Sequence, residues 1–220
     1  MLVVLTFFAQ LPAVNFPLQK PLIIIFFILI CFLGILAGVY PKSCLNILDV
    51  KGIQNIDTYG PNSISTTEKK INIVGHHPTC GKFSNHVISF SNKIYCAGCT
   101  GLVTGAILSI LGSLIYFFVS PIDANVHFTF FWLGFALIIL GLTQHSLYDF
   151  GRSSFHLFLN IIFPVGALFL VIGVNEIIEN FFLNLFLLAF IIYWIFTRII
   201  LSKEEHKKIC DACDIRSCVL

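Results

Sequence analysis

Charge is scarce in this chain: Asp, Glu, Lys and Arg together supply 11% of its 220 residues, where a soluble domain carries about 25%. That shortage argues against a water-soluble globular fold. The formal net charge of +2 is too small to point to a nucleic-acid partner. Catalytic signatures are missing as well. There is no G-x-x-x-x-G-K, G-x-G-x-x-G, G-x-S-x-G or H-E-x-x-H, so no P-loop, dinucleotide site, nucleophile elbow or zincin is indicated. Internal repeats and low-complexity linkers are absent. The first residues lack a basic region and no small-x-small site follows the first long apolar run, so no secretory signal peptide is expected.

What is present is apolar: 57% of the residues are hydrophobic and the mean hydropathy is +0.93. A helix rises about 1.5 Å per residue, so about 20 apolar residues cross a bilayer. Five stretches qualify, at 22–40, 102–119, 126–147, 155–174 and 177–200, the fourth interrupted by Pro164. Residues 1–19 are broken by Pro12 and Pro17 and read as an interfacial lead-in, with a sixth span as the alternative. The expectation is an all-α polytopic membrane protein of about five transmembrane helices with a small Cys/His hairpin of zinc type. Four parts follow: an N-terminal segment with the first span at 1–41, a Cys/His segment at 42–101, a four-helix bundle at 102–201 and a Cys-rich tail at 202–220.

Positive charge sets orientation in membranes. With 41–101 in the cytoplasm and five alternating spans, twelve Lys and Arg fall inside and only Lys20 outside, where the loops carry Asp123 and Glu176. The protein is thus expected to be a multi-pass protein of the cell membrane, its C-terminus cytoplasmic. Seven of the eight cysteines share that inner face, and Cys31 alone lies within a span. Cytosolic thiols stay reduced, which favours metal or redox chemistry over disulfides.

Two clusters carry the metal expectation. Cys96-Ala97-Gly98-Cys99 is a C-x-x-C pair in which Gly98 permits a tight backbone, a spacing that grips one tetrahedral zinc. The stretch before it alternates as a β-hairpin with Ser91-Asn92-Lys93 as its turn. His76, His77, Cys80 and His86 are candidates for the other half of the site. The tail adds His206, Cys210, Cys213 and Cys218. One or two zinc ions are expected, as two sites or as one shared between hairpin and tail. Iron–sulfur ligation, a thioredoxin-like pair and small buried thiols with hydrogen-bonded histidines are the alternatives.

Further polar residues gather near the inner ends of the third and fourth spans: Gln144, His145, Asp149, His156 and Asn160. They either cap those helices at headgroup level or form a membrane-side relay. Gly34 and Gly38, and the ridge Gly101, Gly105, Ser109 and Ser113, would allow close helix contact. The phenylalanines of the last span read as lipid contacts.

His76-His77-Pro78-x-Cys80, a spacer, then C-A-G-C-T-G-L-x-x-G entering a span resembles the uncharacterised membrane family known as domain of unknown function 2085. Gly141 through Gln144 and Ser153 through Asn160 look like its later segments, and the resemblance covers about residues 76–175. It implies a glycine-marked membrane helix after a Cys/His stretch, and no activity. The expected role is a non-enzymatic scaffold or complex subunit with structural zinc, bound to lipid and to a protein partner. The competing roles are metal transport or sensing, and a membrane redox or enzyme subunit using the thiolates.

Overall fold

The computed structural model describes residues 18–40, 73–74, 86–90, 93–118, 124–143, 153–178 and 180–211. In chain order the elements are α1 (Gln19–Val39), β1 (Ile73–Val74), β2 (Val87–Phe90), β3 (Lys93–Cys96), α2 (Ala97–Phe118), α3 (Ala124–Leu142), α4 (Ser153–Ile177) and α5 (Phe181–Asp211). Four of the helices are long and apolar enough to cross a membrane: α1, α2, α4 and the Phe181–Ser202 part of α5. α3 offers a shorter apolar run, Val126–Leu142.

The helix boundaries differ from the sequence expectation for local reasons. α1 begins at Gln19 and runs through Pro21 instead of starting after it. Leu18 is the N-cap, so Pro21 falls in the first turn, where backbone N–H groups have no intrahelical acceptor and a proline is tolerated. Pro164 does not interrupt the fourth span, because α4 continues through it for 25 residues. α4 also continues past 174 and takes Asn175 and Glu176 into its last turns, so these two are not loop residues. α5 does not begin at 177. Its N-cap is Asn180, whose Oδ1 accepts the Leu183 N–H at 3.2 Å, the usual side-chain cap for an unpaired first-turn donor. The expected end of the third span, 143–147, is described only as far as Thr143.

α4 is the centre of the bundle. Its long buried face runs from His156 to Asn175, and its neighbours approach it through small residues. A Cβ added at Gly101 would lie 2.5 Å from the Leu157 carbonyl oxygen, and one at Gly105 would lie 2.5 Å from that of Ile161. Ser109 and Ser113 extend this ridge, fully buried, each hydroxyl donating to the carbonyl four residues earlier. The ridge read from the sequence is therefore the α2–α4 seam. The other expected pair divides: a Cβ at Gly38 would meet Val103 Cγ2 at 2.6 Å, whereas one at Gly34 meets nothing within 4 Å.

The seams fix relative direction. Residues 101 and 105 lie beside 157 and 161, so α2 and α4 run parallel. Gly134 lies against Gly166 and Leu170, Gly141 against Phe163, and Gly173 against Phe131, so α3 runs antiparallel to α4 over the same depth. Gly38 meets Cys99 and Val103 while Lys20 lies over Tyr116, which makes α1 antiparallel to α2. Arg198 reaches Asn160 and Asn184 reaches Asn175, which makes α5 antiparallel to α4. The five helices alternate up and down, and α3 traverses the same layer despite its shorter apolar run.

The hairpin is present and carries a third strand. β2 pairs antiparallel with β3, with Val87 opposite Cys96 and Phe90 opposite Lys93. Lys93 thus belongs to the strand, and only 91 and 92 lie between the paired ends. β1 pairs parallel with β3, giving the order β1-β3-β2. β3 passes into α2 with no residue between them.

Candidate functional site

Cys96 ends β3, and Cys99 is the third residue of α2. The C-x-x-C pair therefore straddles a strand–helix junction, with Cys99 among the unpaired N–H groups of the first helical turn, where a thiolate is stabilised. Cys96 is 2% exposed and Cys99 is intermediate. Gly98 needs no left-handed φ, and an added Cβ would stand 3.8 Å from both Cys96 Sγ and Asn160 Nδ2, an ordinary contact. The tight backbone expected of Gly98 is not required, because the junction is helical from Ala97 on.

The β2–β3 register sets His86, the residue before Val87, at the same end of the sheet as Cys96. From there its imidazole lies on that of His156, with ring centroids 4.6 Å apart. His156 is 4% exposed, on the buried face of α4. This contact docks the hairpin onto the bundle. One turn further along, Asn160 Nδ2 donates to the His156 carbonyl at 2.6 Å. Asn160 Oδ1 accepts from Arg198 Nη2 of α5 at 2.8 Å. Pro164 has no N–H to offer the Asn160 carbonyl four residues earlier, so the helix is locally rich in acceptor capacity where the guanidinium arrives. Arg198 also lies over the Phe163 ring, 4.9 Å from its centroid, a cation–π contact. Arg198, near the end of the last apolar run, thus turns inward onto α4.

His156 and Asn160 therefore join helices and hairpin instead of only capping their own helix. Gln144, His145, Asp149, His76, His77, Cys80, Cys213 and Cys218 lie outside the described residues. His206 and Cys210 fall within α5, four residues apart, because that helix continues to Asp211. Among the described residues no group of three or more His, Cys, Asp or Glu is placed to hold a metal ion. The described Cys31, Cys96 and Cys99 form no disulfide with one another.

A second polar centre, unforeseen in the sequence, occupies the opposite end of the bundle. Tyr116 donates to Glu176 Oε1 at 2.5 Å and accepts from Asn175 Nδ2 at 2.8 Å. Lys20 Nζ stands 3.6 Å from the same carboxylate oxygen and 4.1 Å from the centroid of the Tyr116 ring. His127 Nε2 faces Glu176 Oε2 at 3.9 Å. Asn175 Oδ1 accepts from Gln19 at 3.4 Å and from Asn184 at 3.3 Å. All five helices thus contribute to one network around Glu176. The signal available in the sequence was Asn184, an amide inside the last apolar run, nine residues after Asn175. No family model, no curated protein and no solved structure matches the chain.

Proposed function

We propose that the chain is an integral membrane protein whose hairpin carries a structural zinc site on the cytoplasmic face, serving as a non-enzymatic scaffold or subunit of a membrane complex. The observation that carries this reading is the hairpin register. Val87 opposite Cys96 brings the His86 end of β2 to the C-x-x-C pair that opens a membrane helix. Two thiolates at a strand–helix junction are half of a donor set suited to tetrahedral zinc. Cys80, with His86 or one of His76 and His77, completes the four ligands. Zinc there would hold the hairpin to the mouth of α2, since binding energy of this kind is folding energy. The likeness of the C-A-G-C-T-G segment to domain of unknown function 2085 supports the membrane setting and names no activity.

The cytoplasmic assignment rests on the twelve-to-one distribution of Lys and Arg. Metal transport fits less well. A cation path through His156 and Asn160 would meet the Arg198 guanidinium held there, and like charge repels. The test is metal analysis of the purified protein beside Cys96→Ser and Cys99→Ser. Loss of about one equivalent of zinc, with loosening of the hairpin, is expected. Zinc content unchanged in the doubly substituted protein overturns the proposal.

A further inference from the structure

The membrane-crossing part of α5 ends at Ser202, but the helix runs on to Asp211. So short a polar segment would not hold a helix by itself, because nucleation is the costly step. Here it extends a helix already formed. His206 and Cys210 therefore sit four positions apart on one helix face. Asp211, the last helical residue, stands between Cys210 and Cys213. One C-x-x-C pair of the chain thus lies where α2 begins and the other where α5 finishes. We propose that the tail holds a zinc ion of its own, separate from any ion at the hairpin, with His206, Cys210, Cys213 and Cys218 as its ligands.

Three thiolates and one imidazole make a closed structural zinc set. The helix spaces the Cα atoms of the first two ligands by about 6 Å, and the C-x-x-C pair adds the third. The unpaired carbonyls of a last helical turn favour a cation and disfavour a bare thiolate, so a metal ion supplies what Cys210 lacks at that position. Three thiolates on Zn2+ leave one net negative charge. Lys203 and Lys207 fall on the same helical stripe as His206 and Cys210 and offset it.

Helix register keeps this site apart from the hairpin. Gly101 and Gly105 lie against Leu157 and Ile161, so Cys99 is level with about residue 155 of α4. The contacts of Arg198 with Asn160 and of Asn184 with Asn175 put that level near residue 204 of α5. Cys210 is then about 9 Å further out along α5, at 1.5 Å per residue. α2 and α5 are also separated sideways. Leu102 and Ala106 of the one and Ile191 and Ile195 of the other line a crevice that α1 and α4 share with them, and even helices in contact lie about 8–10 Å apart. Two sulfurs on one zinc must come within about 4 Å of each other. Cys210 is out of reach of an ion held by Cys96 and Cys99.

The experiment is zinc analysis of the purified, tag-free full chain beside three variants: Cys96→Ser with Cys99→Ser, Cys210→Ser with Cys213→Ser, and all four together. Helix content by circular dichroism checks that each is folded. Two equivalents of zinc in the unaltered protein, one in each double variant and none in the quadruple variant are expected. His206→Ala in the Cys96→Ser, Cys99→Ser background should weaken retention of the remaining zinc against a chelator. If the tail variant loses one equivalent while the hairpin variant loses none, this inference stands and the hairpin reading fails. A single equivalent lost in either double variant shows one shared ion and overturns the inference. Zinc content unchanged in the folded Cys210→Ser, Cys213→Ser protein overturns it as well.

Discussion

An amide inside a membrane bundle is tolerated when its donor and its acceptor are both engaged. Asn160 meets that condition, giving its N–H to the His156 carbonyl and its oxygen to Arg198. Asn175 meets it at the other end by donating to Tyr116 and accepting from Gln19 and Asn184. Tyr116 is the residue on which that second centre depends most, since its hydroxyl links the Glu176 carboxylate to Asn175 while its ring underlies Lys20. Tyr116→Phe keeps the ring and removes the link. It should destabilise the protein by about 1.5–3 kcal/mol, the net worth of a hydrogen bond to a charged group. Reversible unfolding in mixed micelles would read this. A Tyr116→Phe protein as stable as the parent would show that the hydroxyl contributes nothing. Lys20→Gln should cost less, because Lys20 and Glu176 are both partly exposed and their attraction is screened.

The helices differ in how closely they can be approached. α2 meets α4 through glycine and serine, so Gly105→Leu would drive a side chain into the Ile161 backbone 2.5 Å away. Neither backbone can yield without moving a whole helix. A large fall in melting temperature in detergent, or failure to accumulate in the membrane, is expected. Gly34→Ala is the contrast. It meets open space and gains up to about 1 kcal/mol of helix propensity, so it should leave stability unchanged or slightly raised. Equal damage from the two substitutions would contradict the α2–α4 seam. The phenylalanines of α5 divide: Phe182 at 60% and Phe196 at 47% are exposed, whereas Phe181 packs against the core. Beyond the span α5 stays helical to Asp211, with His206 and Cys210 four residues apart on it. If these two join Cys213 and Cys218 as metal ligands, the tail thiols should resist alkylation in native membranes until a chelator is added. Immediate reaction with or without chelator would exclude ligation there.

At the scale of the whole molecule, alternation of five helices places Cys96, His156 and Arg198 at one end of the bundle and Lys20, Tyr116 and Glu176 at the other. With the basic bias of the sequence, the first end is expected in the cytoplasm. Fusion of alkaline phosphatase or of a cytoplasm-dependent fluorescent protein at residue 70 and at the C-terminus tests this. Fluorescence without phosphatase activity at both points is the expected result, and phosphatase activity at either reverses the orientation. Length and hydropathy by themselves determined that the chain forms apolar helices, because an isolated run of about 20 apolar residues has few other ways to satisfy its backbone in a bilayer. Alternation of side chains likewise made the 87–96 hairpin legible, and the small-residue ridge on α2 announced a close seam. Glycines 134 and 141, and 166 and 173, repeat at seven residues and mark the α3–α4 seam, yet nothing in a linear reading says which two helices they join. Tertiary structure alone decided the partners: Arg198 on Asn160, His86 on His156, and five helices around Glu176. Each of these pairings spans tens of residues, and a polar side chain near a helix end can face either water or a neighbour. Only the packing of α4 against all the others settles which of the two is available.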